Sequence, residues 1–110
     1  MDLDDCIKRW KIFTQDIQNG YVFGIEDYIN DMGARDFIQR KIDDSSPEEK
    51  RFIKLRISKS DETFLGSTIE IEKSLIQAKN PETYFWWKRV PKKLVGELKE
   101  DLINLEFIHN

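Results

Sequence analysis

The sequence predicts an all-α fold: a single domain over residues 1–110, built as a small bundle of about five helices around one long central helix. Three observations carry this expectation. Apolar residues recur every three or four positions through most of the chain. Helix-boundary signals stand at Asn19-Gly20, Ser46-Pro47 and Asn80-Pro81. Strand-like alternation is nowhere sustained, its nearest approaches being Arg56-Ile57-Ser58-Lys59 and Thr68-Ile69-Glu70-Ile71. The 110 residues are 39% hydrophobic and 12% aromatic, enough large apolar surface to offset the entropy of ordering the chain.

Leu3, Cys6, Ile7, Trp10, Phe13 and Ile17 form one stripe of a first helix, whose positive end suits Asp2, Asp4 and Asp5 and whose end is set by Asn19-Gly20. Tyr21-Val22-Phe23-Gly24 then reads as an aromatic connection folded back onto the core. Ile25, Tyr28, Ile29 and Met32 share a face of a short helix that Gly33 interrupts or ends, and Ala34 to Ile42 continues with Phe37, Ile38 and Ile42 inward.

Ser46-Pro47-Glu48-Glu49 combines a Ser cap, Pro at the first helical position and a Glu three residues after the cap. From there one stripe (Ile53, Ile57, Ser60, Phe64, Ser67, Ile71, Leu75, Ala78) predicts a continuous or mildly kinked helix over 46–79. It would be on the order of 50 Å long. Asn80-Pro81-Glu82 starts a short turn of helix through Tyr84, Phe85, Trp86 and Trp87, ended before Pro91. A last helix from Lys92 or Lys93 to Leu105 gathers Leu94, Val95, Leu98, Leu102 and Leu105.

Charge and composition exclude several functions. A net charge of -3 speaks against a generic nucleic-acid binder, which displaces counterions with a basic stripe. No apolar run reaches membrane-spanning length, and the acidic start is unlike a secretory leader, so a cytoplasmic chain with no membrane partner is expected. The lone Cys6 and the lone His109, the latter expected to fray, leave no ordered Cys-His or Ser-His-Asp set. Cys6 reads as a small core residue. No enzyme activity, cofactor or metal site is predicted.

Acidity is concentrated: residues 1–45 carry six Lys/Arg against ten Asp/Glu, including Glu26, Asp27, Asp31 and Asp36. Such a face can dock a basic partner and speed its encounter, or it can be a solvated surface with Asp31 paired to Arg35 one turn on. Asp27 and Asp31 repel one another, but with neither an EF-hand loop nor a second carboxylate pair they do not make a cation site. Four consecutive aromatics at 84–87 cannot all face one core. Trp86 and Trp87 therefore either plug the end of the bundle beneath the basic residues that follow or, with Arg89, form an interface anchor or a stacking surface for a nucleotide.

Asp27-Tyr28-Ile29-Asn30-Asp31-Met32 with Arg35-Asp36, taken together with Trp86-Trp87-Lys88-Arg89-Val90-Pro91 and Gly96-Glu97-Leu98, resembles a family of small bacterial helical proteins without an assigned activity. The resemblance covers these short motifs only. It implies a bacterial or phage-borne cytosolic protein and brings no catalytic residues.

These readings converge on a small interaction module that binds and neutralises or regulates a protein partner, in the manner of an immunity protein or antitoxin. Its candidate contacts are Glu26, Asp27, Asp31, Asp36, Trp86, Trp87 and Arg89. Two other readings stand beside it: a small-ligand or nucleotide sensor using Trp86, Trp87 and Arg89, and a structural homodimer held by the long helix.

Overall fold

Helix α1, Leu3–Asn19, opens where the Asp2 carboxylate accepts the Asp5 backbone N–H at 2.8 Å, answering one of the unpaired donors of the first turn. Its buried face is Cys6, Trp10, Phe13, Thr14 and Ile17, and it packs on both α2 and α3. The helix that organises the bundle is therefore α1, not the 46–79 stripe. The computed structural model describes residues 2–77, 80 and 82–109.

Gly20, at φ 109°, turns the chain out of α1 and into α2, Ile25–Asp43. Helix α2 runs unbroken through Gly33, contrary to the expected interruption. One glycine costs a packed helix about 1 kcal/mol, and the buried Met32, Ala34 and Arg35 on either side hold the helix against that loss. Gly24, the residue before α2, offers no side-chain cap. The Asp101 carboxylate of the last helix supplies one by accepting the Ile25 N–H at 2.9 Å.

Helix α3, Pro47–Ser67, starts as its cap predicts, with Ser46 Oγ accepting the Glu49 N–H at 3.3 Å. It does not continue to residue 79. Thr68–Glu70 instead forms strand β1, paired antiparallel with β2, Arg89–Pro91, in the register Thr68↔Pro91, Ile69↔Val90 and Glu70↔Arg89. The β-branched residues favour an extended chain once a partner strand is present. A 50 Å helix would also outrun the 45 Å long axis of the molecule. Among the described residues the fold is thus mostly helical with a small two-stranded ribbon, and has four α-helices rather than an all-α set of five.

After β1 the chain stays beside the segment that leads into β2: the Ile71 N–H donates to the Lys88 carbonyl and the Leu75 N–H to the Trp87 carbonyl, both at 2.8 Å. Asn80 accepts the Thr83 N–H through its side chain, and the predicted turn of helix appears as a 3₁₀ turn over Phe85–Lys88. The predicted Pro81 start, and Ala78 and Lys79 at the end of the stripe, lie outside the described residues. The last helix, α4, covers Gly96–Asn104 and is shorter than predicted, because Val95 is extended and Gly96 stands at φ 60°. Among the described residues no helix is long and apolar enough to cross a membrane.

A Cβ on Gly96 would sit 2.9 Å from the Val22 carbonyl oxygen, in a backbone conformation that already disfavours side chains. Gly96→Ala is expected to lower stability by about 1–3 kcal/mol. Chemical denaturation of the two proteins checks this, and an unchanged midpoint would contradict it.

Candidate interaction surface

The seven candidate residues divide into an interior set and a surface set. Asp36 projects from α2 toward the 3₁₀ turn, and its Oδ1 accepts both indole N–H groups, from Trp86 at 2.7 Å and from Trp87 at 2.8 Å. Both indoles are buried. Burial pushes the Asp36 carboxyl above its ordinary range, while the two indole bonds and the nearby Arg40 and Arg35 pull it back. The Arg89 guanidinium donates from Nε to Thr68 Oγ1 at 2.8 Å and from Nη2 to the Thr68 carbonyl at 2.9 Å, tying the turn to the ribbon. Tyr28, buried behind β2, donates its hydroxyl to the Arg89 carbonyl at 3.0 Å.

Asp36, Trp86, Trp87 and Arg89 therefore make these directional bonds within the chain, with the indoles buried and Asp36 and Arg89 half-buried. The half-buried rings of Tyr84 and Phe85 account for the part of the aromatic run that one core cannot hold.

Arg35 departs from the local pairing with Asp31. It is 4% exposed and reaches Asp61 of α3, with Nε to Oδ1 and Nη2 to Oδ2 both at 3.0 Å, while its guanidinium lies 4.5 Å from the Trp86 ring centre. Asp61 Oδ1 also accepts the Trp10 indole N–H at 2.8 Å. The released Asp31 accepts the Tyr21 hydroxyl at 2.7 Å. Burial foremost, and then this hydrogen-bonded carboxylate, push the Tyr21 phenol above its ordinary range. Cys6 is fully buried in α1, and burial raises its thiol.

The surface set is Glu26, Asp27 and Asp31, all exposed along the first half of α2. Neither ion pair among the described residues, Arg35–Asp61 or Arg56–Asp4, uses any of them. Beside them the α1–α2 connection contradicts the expected folding back onto the core: Tyr21 is buried, but Val22 is 56% and Phe23 57% exposed. Both lie between Gly20 and Gly24, where the short connection follows the turn out of α1 and only Tyr21 reaches the core. Glu97 and Asp101 of α4 approach Gly24 and bring two further carboxylates to this end of the molecule.

Next to Asp31, a groove of about 470 Å³ runs between α1 and α2, lined by Ile12, Asp16, Phe37 and Arg40 among others. Glu26, Asp27 and Asp31 were legible from sequence. Val22, Phe23 and the α4 carboxylates were not, because only the folded chain sets α4 against the loop.

No family model, no curated protein and no solved structure matches this chain.

Proposed function

We propose that this protein is a small interaction module that docks a basic protein partner on its acidic end and neutralises or regulates it, as an immunity protein or antitoxin does. The observation that carries the reading is the exposure of Val22 and Phe23 beside Glu26, Asp27 and Asp31, three exposed carboxylates that take part in no ion pair among the described residues. An exposed aromatic pays little entropy when it is fixed at an interface and buries a large apolar area. The ring of carboxylates selects a cationic partner and steers its approach. The groove beside Asp31 offers a mixed apolar and polar wall for the partner's side chains.

The nucleotide-sensor reading relied on Trp86, Trp87 and Arg89. Their hydrogen bonds are made within the chain and both indoles are buried, which supports the docking reading over that one.

The test is a parallel affinity capture from the source lysate with the wild-type chain, Phe23→Ser and the double variant Asp27→Lys/Asp31→Lys. These positions are exposed, so the fold is expected to persist, as circular dichroism will show. A basic protein retained by the wild type and lost from both variants is expected. Its association with the purified wild type should slow steeply as salt rises, and the charge-reversed protein should associate at least tenfold more slowly. Identical sets of proteins retained by all three chains would overturn the proposal.

A further inference from the structure

Helix α3 buries only Ile53, Ile57 and Phe64. Its opposite side carries Phe52 at 64% and Leu55 at 68% exposure, the two most exposed large apolar residues described, with Leu65 and Ile69 also exposed farther along. The outward row is Glu48, Phe52, Leu55, Lys59, Glu62 and Gly66. It alternates steps of four and three residues, the spacing of a seam between two helices. Phe52 and Leu55 are off the inward stripe, which is why a core-seeking reading of the sequence passes over them.

The order of charges along this row selects the occupant. A second α3 lying parallel would set Lys59 against Lys59 and Glu62 against Glu62, each pair repelling. A second α3 lying antiparallel, with the two-fold axis between residues 59 and 62, sets Lys59 against Glu62 twice. The same register places Leu55 opposite Gly66, where nothing stands within 4 Å of the Cβ position, and leaves Phe52 beyond the last turn of the partner α3, toward the start of its β1. At the centre of the seam Leu55 thus meets an empty position twice and Lys59 meets Glu62 twice.

We infer that the outer face of α3 pairs two copies of this chain antiparallel, as a two-fold dimer. A two-fold interface must be self-complementary, and this row is. The acidic end with Val22 and Phe23 takes no part in the pairing and remains on the outside of each copy.

Sedimentation equilibrium over a dilution series tests the pairing. Wild type is expected to show a concentration-dependent monomer–dimer equilibrium. Leu55→Glu should remain monomeric throughout, with the circular dichroism of the folded chain retained. Lys59→Glu should weaken the dimer about tenfold, since the two-fold axis counts each change twice, and Lys59→Glu/Glu62→Lys should restore it. A wild type monomeric at every concentration, a dimer unaffected by Leu55→Glu, or a Lys59→Glu defect that Glu62→Lys does not repair would each overturn the inference.

Discussion

Asp61→Ala is expected to lower the free energy of unfolding by about 3–5 kcal/mol, a large share of the roughly 5–15 kcal/mol that holds a domain together. Arg35 enters the interior with its charge, and Asp61 answers it through both oxygens while also accepting the Trp10 indole N–H. The remaining guanidinium donor, Nη1, goes to Gln39 Oε1 at 3.0 Å, and Gln39 passes its own amide to Asp43 at 3.1 Å. Among the described residues no buried side-chain polar atom lacks a partner. Removing Asp61 breaks that completeness twice, leaving a buried cation unpaired and an indole donor with no acceptor.

Urea denaturation should show a shifted midpoint with an unchanged slope. Asp61→Asn should lose less, because its carbonyl oxygen can still accept from Trp10 while the pairing with Arg35 is weakened. A midpoint for Asp61→Ala within error of wild type would show that Arg35 finds water or another acceptor and that the pair is dispensable.

The second large effect is at Asp36. Asp36→Ala should cost about 2–5 kcal/mol, since the buried Trp86 and Trp87 indole N–H groups both lose their acceptor. Asp36→Asn keeps a carbonyl oxygen in the place of Oδ1 and is expected to stay within about 1 kcal/mol of wild type at neutral pH.

The two chains should diverge with pH. Burial raises the folded Asp36 carboxyl above its ordinary value of 3.8, so the native state binds its proton more tightly than the unfolded chain. Its contribution to stability is full below 3.8 and is lost as pH rises through the higher folded value. Wild type should therefore lose stability relative to Asp36→Asn as pH climbs through that window, then run parallel to it. Thermal melts of both proteins across the acid limb measure the difference. A wild type that gains on Asp36→Asn as pH rises there would mean that the two indole bonds outweigh burial.

What the sequence revealed is what neighbouring residues decide. The stripe of α1, the acidic residues at its positive end and the Ser46-Pro47 start all rest on residues within a few positions of one another, and each appears in the fold as read. The end of α3 does not. Ile71 and Leu75 continue the helical period of Ile53 and Phe64, and only β2, some twenty residues farther on, shows why the chain leaves the helix at Thr68.

The same distance hid the link between two separately noted features. Asp36 belonged to an acidic segment and Trp86 and Trp87 to an aromatic run, and it takes 50 residues of intervening chain to bring them together as one acceptor and two donors. Arg35 likewise passes over its neighbour Asp31 for Asp61, which offers two oxygens from a separate helix. That choice leaves Asp31 for Tyr21 and the surface. The acidic end was thus legible as composition but not as shape.

The carboxylate of Asp101 that closes the start of α2 comes from 76 residues downstream. During synthesis the first three helices can collapse on one another while the ribosome still holds the last third of the chain, because their mutual contacts are comparatively local. The loop of Val22 and Phe23 and the first turn of α2 gain their neighbours Glu97 and Asp101 only when α4 arrives. The end of the molecule that carries Val22 and Phe23 is therefore completed only when α4 has joined the first helices. A chain shortened before α4 that already holds Trp10 against Phe64 would still lack these neighbours.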